Sequence, residues 1–254
     1  MIQIRTVEAA RGWRWLVQGL AIFRKAPAQW LMLIAILFIG SRVLLAIPFV
    51  GLVVILITPN FLAGLTHGAQ ALEQGKPLRL GYLASGFLKN AAQLVTLGGV
   101  SLIGHFLMLM AMTTVAGDAL AEIMKTMASG AVTAETVTAM RTAAPRLLLG
   151  VAVGLCIALP VMLAVWFSPL LVFFDGVKPL PAMLLSLSAC MKNALPMLIY
   201  CVAVLGPLMV MMQIGMALTR QPDIGFWLLA PVLVPSLYAG YVDLFVREPV
   251  PAEN

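Results

Sequence analysis

Five ionisable side chains lie within long apolar runs or at their edges, and their types could support chemistry inside a membrane. They are Arg42, His67, His105, Asp175 and Asp243. A charge at the centre of a bilayer costs at least ~2.5 kcal/mol, so an ionisable residue in a spanning helix is a functional candidate by default. These residue types point to a proton relay, a ligand contact or an anion contact.

The arginine and the two histidines also have structural interpretations. Arg42 stands late in its apolar run, where it would snorkel to the outer face, pair with a backbone carbonyl or contact a lipid phosphate. His67 follows Gly64 by three residues, so both fall on one helix face, and a close helix contact at Gly64 would place His67 at an interface. For His67 and His105 we expect interhelical hydrogen bonds, with a proton relay or ligand contact as the alternative. No Cys, Asp or Glu stands near them at metal-ligand spacing.

The two aspartates stand near the ends of their apolar runs. Asp175 and Asp243 would therefore mark the membrane interface. The alternative is a paired role in a cytoplasmic vestibule with one of the basic residues Arg79, Lys178 and Lys192.

The usual catalytic motifs do not occur in this sequence. It has no Walker A motif, no HExxH and no GxSxG, so the sequence shows no motif for nucleotide hydrolysis, zinc proteolysis or acyl transfer. The three cysteines have no CxxC spacing and are interpreted as small buried hydrophobes. We expect no catalytic residue, no cofactor and no metal site.

The composition is that of an integral membrane protein. The chain of 254 residues is 62% hydrophobic and only 10% charged, whereas a soluble protein is about 45–50% apolar and about 25% charged. A large soluble catalytic domain is excluded. The net charge of +6 fits the collection of Lys and Arg in cytoplasmic loops better than a nucleic-acid partner, and we expect no nucleic acid to bind.

Apolar runs of roughly 20 residues are long enough to cross a bilayer as helices. The sequence predicts an all-α polytopic membrane protein, one domain over residues 1–254, with six transmembrane helices. They cover roughly 28–46, 50–72, 91–115, 146–174, 194–218 and 225–245, with Pro145 opening the fourth. A polar extracytoplasmic insertion is predicted at 116–144, with a break at Ser129-Gly130 and a short helix over 133–142.

Three short helices with basic residues are predicted at 5–25, 78–89 and 180–192. They would lie in the membrane interface and contact anionic lipid headgroups, which are the expected partners together with a membrane protein.

The order of short helix, span and span occurs three times, in units of about 5–75, 78–177 and 180–247. The short helices end alike, at Lys25-Ala26-Pro27, Lys89-Asn90-Ala91 and Lys192-Asn193-Ala194. The second span of each unit contains a proline, at Thr58-Pro59, Ser168-Pro169 and Val234-Pro235. Units with two spans each have the same orientation, which predicts parallel repeats.

The basic residues predict the orientation. With the N-terminus inside, 11 of the 16 Lys and Arg residues are cytoplasmic, so both termini are predicted in the cytoplasm of a bacterial cell, with an uncleaved N-terminal helix at the inner membrane.

Several of these segments resemble a known family. Trp13, the stretch Ile47-Pro48-Phe49-Val50-Gly51, Thr58-Pro59 with Gly64, and the Lys-Pro turns resemble a family of uncharacterised bacterial, chiefly proteobacterial, inner-membrane proteins. That family is similar to the membrane domain fused to some glycerophosphodiester phosphodiesterases. The resemblance implies a fold and a membrane and no enzymatic activity, because the phosphodiesterase catalytic module is not in this sequence.

Three functions are consistent with these observations. The first is a non-enzymatic scaffold or accessory protein of the membrane or of a membrane complex. The second is a transporter of a small molecule, lipid or ion, and the third is a lipid-processing enzyme. Convergence of His67, His105, Asp175 and Asp243 on a water-filled cavity would favour transport, and separate helix contacts would favour the scaffold.

Overall fold

A computed structural model describes residues 2–128, 134–221 and 223–247. Within these ranges the chain forms ten α-helices and two short β-strands. In chain order they are β1 (Ile2–Ile4), α1 (Arg11–Lys25), α2 (Pro27–Leu45), α3 (Val50–Glu73), α4 (Tyr82–Leu88), α5 (Ala91–Ala128), α6 (Ala134–Trp166), α7 (Ser168–Asp175), α8 (Pro179–Lys192), α9 (Ala194–Thr219), α10 (Asp223–Leu244) and β2 (Phe245–Arg247).

Six segments of the described chain are long and apolar enough to cross a membrane, which confirms the predicted all-α polytopic fold. They are Pro27–Leu45, Val50–Glu73, Ala91–Ala121, Met140–Asp175, Ala194–Thr219 and Asp223–Leu244. In five of these segments at most a third of the residues are buried within the chain, as expected for helices that face lipid, whereas 56% of Asp223–Leu244 is buried.

The fourth span begins earlier than predicted, at Met140, and ends as predicted, at Asp175. Pro145 does not open a helix but lies inside α6. The predicted short helix at 133–142 is not separate within the described residues: from Ala134 it is the first part of α6. The predicted break at Ser129-Gly130 lies outside the described residues. Between α6 and α7 the helix is interrupted at Phe167. The Phe167 backbone N–H donates to the Ser186 hydroxyl at 3.0 Å, so the interruption leaves that donor satisfied.

The chain divides into two compact units, Met1–Gly98 with Ala164–Asn254, and Gly99–Leu163. The second unit consists of antiparallel parts of α5 and α6, held together at small residues. A Cβ atom added to Gly104 would lie 2.6 Å from Val161, and one added to Gly150 would lie 2.6 Å from Ala116. Such small residues let membrane helices approach closely.

In the first unit, each short helix packs against a proline-containing segment that another predicted repeat contributes. Helix α4 packs on α3, where the Asn60 amide donates to the Gly86 carbonyl at 2.9 Å. Helix α8 packs on α7, and α1 packs on α10, where Gly19 meets Ser236. Helices α4 and α8 thus pack on a segment of the preceding predicted repeat, and α1 packs on a segment of the last predicted repeat. The repeat itself stays a prediction.

One face of helix α1 packs against the rest of the first unit. Its residues Gly12, Trp15, Gly19 and Ile22 are buried, because glycines at 12 and 19 bring its backbone against Pro196 of α9 and against α10. The opposite face remains exposed.

The structure adds a two-stranded antiparallel sheet that the sequence analysis did not predict. Strand β1 pairs with β2 in the register Ile2–Arg247, Gln3–Val246 and Ile4–Phe245. The sheet directly follows the end of α10 and precedes the start of α1 in the chain. We call this end of the first unit the strand end.

Candidate functional site

The buried carboxylate of Asp243 is the centre of an ion cluster at the strand end. Its side chain is 4% exposed and pairs with the guanidinium groups of both Arg5 and Arg11. Arg11 donates from Nε and Nη2 at 2.6 Å to the two carboxylate oxygens, and the Trp15 indole N–H donates at 2.9 Å. Such a bidentate, charge-assisted arrangement has the geometry of a strong pair. The hydrogen bond to Asp243 raises the pKa of Arg11 above its usual value.

Backbone contacts bring these groups together. The N–H of Arg5 donates to the carbonyl of Leu244 at 2.8 Å, directly after the β1–β2 ladder. Arg11 is the first residue of α1, whose buried face rests on α9 and α10. Two cations from the start of the chain therefore meet one carboxylate near its end.

Asn193 fastens the segment between β1 and α1, and the sequence analysis missed this role. Its amide oxygen accepts from the Val7 N–H at 2.9 Å. Its amide nitrogen donates to the carbonyls of Arg5 at 3.1 Å and Ala189 at 3.0 Å. Asn90, at the same place in the Lys-Asn-Ala motif, donates to the Val172 carbonyl at 2.7 Å. The repeated Lys-Asn-Ala motif was the sequence signal that could have indicated this role, since in both copies the asparagine side chain binds the backbone of a distant segment.

Asp175 forms a second and separate cluster. It accepts hydrogen bonds from the Tyr241 hydroxyl and from Arg247 Nε at 2.6 Å. The bond to Asp175 raises the pKa of Arg247. The two aspartates thus pair with Arg5, Arg11 and Arg247. The alternative pairing with Arg79, Lys178 or Lys192 does not occur among the ion pairs of the described residues, because strand β2 and the N-terminal segment place other cations beside the two carboxylates.

His67 lies among aromatic rings. Its ring centroid is 4.9 Å from that of Tyr82, 5.3 Å from Phe173 and 6.5 Å from Phe174. Gly64 allows this approach, since a Cβ there would lie 3.0 Å from the Leu83 carbonyl oxygen. The buried Nδ1 atom has no hydrogen-bond partner in the described part of the chain.

His105 is exposed and is bonded within its own helix. Its Nδ1 lies 2.6 Å from the Ser101 carbonyl oxygen. The expected interhelical hydrogen bond is not found among the described residues, because the preceding turn of α5 already supplies the partner.

Arg42 takes part in an ion pair at the opposite end of the first unit. It donates to Asp223 at 3.0 Å and to Gln221 at 2.8 Å. Both charged side chains are more than 40% exposed. These side chains, which the sequence analysis did not weigh as partners, link the last turn of α2 to the start of α10.

An open cleft of about 410 Å³ lies at the strand end, between α1, α3 and α10. Of the five residues singled out from sequence, Asp243 alone lines this cleft. Its full lining is amphipathic: Arg5, Arg11, Gln18, Ala21, Ile22, Lys25, Glu73, Ala239, Val242 and Asp243. The described residues contain no group of three or more His, Cys, Asp or Glu that could hold a metal ion.

Comparison with known proteins gives one distant relative. The chain is 23% identical over 197 residues to a "probable inner membrane protein" of Burkholderia thailandensis, a match that covers 76% of this chain and 71% of the relative. No protein-family model matches, and no solved structure matches. The resemblance to the phosphodiesterase-linked membrane domain stays a prediction.

Proposed function

We propose that this chain is a multi-pass protein of the bacterial inner membrane that acts without catalysis, as a scaffold or accessory component of the membrane or of a membrane complex. The name of the Burkholderia relative supports the inner membrane. The excess of Lys and Arg on one side supports cytoplasmic termini.

The observation that carries this proposal is the separation of the polar residues. Asp243 and Asp175 sit in two different arginine clusters, and His67 packs among aromatic rings. His105 bonds to its own helix, and Arg42 pairs with Asp223. Each group therefore has a structural contact of its own, which is the arrangement expected of a scaffold.

A scaffold also needs surfaces on which to assemble a partner. The spans expose large apolar side chains along most of their length, and small residues such as Gly206 on α9 meet no neighbour within 4 Å in the described chain. A membrane protein partner could pack on such a helix face through close backbone contact.

The test is purification of the full chain from its native membrane in mild detergent, followed by identification of the proteins and lipids that accompany it. A six-span transporter of similar abundance serves as the control. We expect a membrane protein to co-purify in a fixed ratio with this chain and not with the control. Release of lipid products by the purified chain would contradict the non-catalytic role.

A transporter is the second candidate, favoured by one observation. Asn60 is fully buried in α3, directly after Pro59, and its amide oxygen has no hydrogen-bond partner in the described part of the chain. Proline-interrupted spans occur at the binding sites of transporters, and this unpartnered oxygen lies beside such a proline. Solute flux into proteoliposomes that is lost in Asn60→Leu but kept in Asn90→Leu would favour this alternative.

A further inference from the structure

Helices α5 and α6 are longer than a membrane is thick. The 38 residues of α5 and the 33 residues of α6 measure about 57 Å and about 50 Å, whereas a hydrocarbon core is about 30 Å thick. Each helix is charged at one end only: α5 has no Asp, Glu, Lys or Arg before Asp118, and α6 has none after Arg146. The charged ends therefore extend beyond the hydrocarbon core, because a charge within it is costly.

The packing of the second unit places these two charges at one level. A Cβ atom added to Gly150 would lie 2.6 Å from that of Ala116, so these residues face each other across the antiparallel pair. Asp118 follows Ala116 by two residues and Arg146 precedes Gly150 by four, in the same direction along the pair. Their heights thus differ by about 3 Å, and this common level marks the edge of the hydrocarbon core. We call the residues beyond it, 118–128 and 134–146, the outer hairpin.

The contact between the two helices of the outer hairpin buries small side chains and leaves larger ones uncovered. Among its described side chains only Ala119 and Ala143 are buried. Met124 is 65% exposed, and Val137 and Met140 are each 47% exposed. Beyond the hydrocarbon core no acyl chains cover these side chains. Their exposure is therefore unfavourable unless another protein surface packs on them.

The uncovered apolar side chains lie on one face of the hairpin. Leu120 follows the buried Ala119, and Ala144 follows the buried Ala143. One residue forward is a rotation of about 100° around a helix. Because the two helices are antiparallel, this rotation turns both side chains away from their contact toward the same face. The residues one or two turns away on the same side of each helix are Met124, Val137 and Met140.

The same face continues along both helices below the outer hairpin, at spacings of three, four and seven residues. Its members are Ile103, Phe106, Met110, Thr113 and Gly117 on α5, and Leu148, Val151, Leu155 and Met162 on α6. The large apolar members are all more than 40% exposed. A Cβ atom added to Gly117 would meet nothing within 4 Å, so another helix can approach closely there.

We propose that this face binds the same face of a second copy of the chain. Two copies inserted in one membrane in the same orientation are related by a two-fold axis parallel to the membrane normal. Rotation about this axis leaves heights unchanged and places α5 of each copy against α6 of the other. The apolar side chains of both copies then meet at one level, beyond the hydrocarbon core as well as within it. The product is a four-helix bundle in which neighbouring helices are antiparallel.

The area of this face matches what a stable dimer needs. From Ile103 to Met124 it is about 33 Å long, and two helices side by side are about 20 Å wide. Each copy therefore covers about 660 Å², and the pair buries about 1,300 Å², within the range of about 1,200–2,000 Å² for stable interfaces. The inference goes beyond the proposed function, since a scaffold and a transporter can both be dimers.

The first experiment is cysteine cross-linking in membranes, with the full chain after replacement of its three cysteines by alanine. Met140→Cys places a thiol on the proposed face. Thr142→Cys is the matched control: Thr142 is exposed at nearly the same height, but it precedes Ala143 and so lies on the other face of the hairpin. Thermal unfolding checks that each variant is folded.

With a short bismaleimide, we expect Met140→Cys to give a product of twice the mass of the chain and Thr142→Cys to remain a monomer. Equal cross-linking of the two variants would overturn the proposal, as would the absence of any product from Met140→Cys. A product of any other mass from Met140→Cys would show a different partner on this face and would overturn the second copy.

The second experiment measures association in lipid vesicles, by energy transfer between donor-labelled and acceptor-labelled full chains at increasing dilution in lipid. Met140→Glu places a carboxylate without a partner in the interface and should weaken association at least about tenfold. Thr142→Glu should leave association unchanged. Both side chains are exposed in the single chain, so both variants should fold, which circular dichroism checks. Unchanged association in Met140→Glu, or an equal loss in both variants, would refute the interface.

Discussion

Replacing Asp243 by Asn should unfold the strand end more readily than any other single charge removal among the described ion pairs. The substitution keeps the size of the side chain and removes the charge. Asn has one acceptor oxygen, whereas the carboxylate accepts from Arg5, twice from Arg11 and from Trp15. The guanidinium groups and the fully buried Trp15 indole therefore compete for this single acceptor oxygen.

The magnitude follows from how deeply the partners are buried. Removing one partner of a fully buried ion pair costs about 3–5 kcal/mol. Asp243 is 4% exposed, but Arg11 is 27% and Arg5 is 51% exposed, so water compensates part of the loss. We expect the free energy of unfolding to fall by about 2–3 kcal/mol, at or just below the lower limit of that range.

The assay is equilibrium unfolding in mixed micelles, followed by tryptophan fluorescence, with Asp223→Asn as the matched control. Asp223 also pairs with an arginine, but it is 46% exposed, and an exposed pair contributes about 0–1 kcal/mol. The double variant Asp243→Asn with Arg11→Gln should lose less free energy of unfolding than the two single variants lose in sum. In the double variant no Arg11 cation is left without its counter-charge. If Asp243→Asn and Asp223→Asn lose the same stability, the reasoning about the buried cluster is refuted.

Four further predictions follow from other contacts. Asn193→Ala should lower the free energy of unfolding by about 1–3 kcal/mol and speed proteolysis before α1, because it leaves the backbone groups it binds unpaired; unchanged cleavage would contradict this role. Gly19→Ala should lower the unfolding temperature, since its Cβ would lie 2.6 Å from that of Ser236, whereas Gly81→Ala, which meets nothing within 4 Å, should not. Burial raises the pKa of Cys190 to about 12, so at pH 8 it stays a neutral thiol and should react with N-ethylmaleimide only after denaturation; rapid native labelling would show that it is accessible. Reporter fusions at the two termini should report the same side of the membrane, and opposite sides would exclude six spans.

Much of the correct prediction was based on local features of the sequence. Helix spacing and long apolar runs depend on neighbouring residues, because a spanning helix satisfies its backbone hydrogen bonds within itself. The six spans and the third short helix were therefore predictable. The start of the fourth span was less predictable, since proline is tolerated inside membrane helices, as at Pro145.

The partners of the polar residues depended on the fold. Arg5 and Asp243 are 238 positions apart, and no local pattern links them. The strands β1 and β2 are only three residues each, too short for a periodic signal. Lys25 and Glu73 belong to different helices, and the packing of α1 against the bundle places both in one cleft.

Hydrophobicity along the chain therefore determined that this protein resides in a membrane and how often it crosses, because burial of apolar segments in lipid needs no distant partner. Only the tertiary structure decided which charges meet, because an ion pair forms between groups that packing brings within about 3 Å of each other.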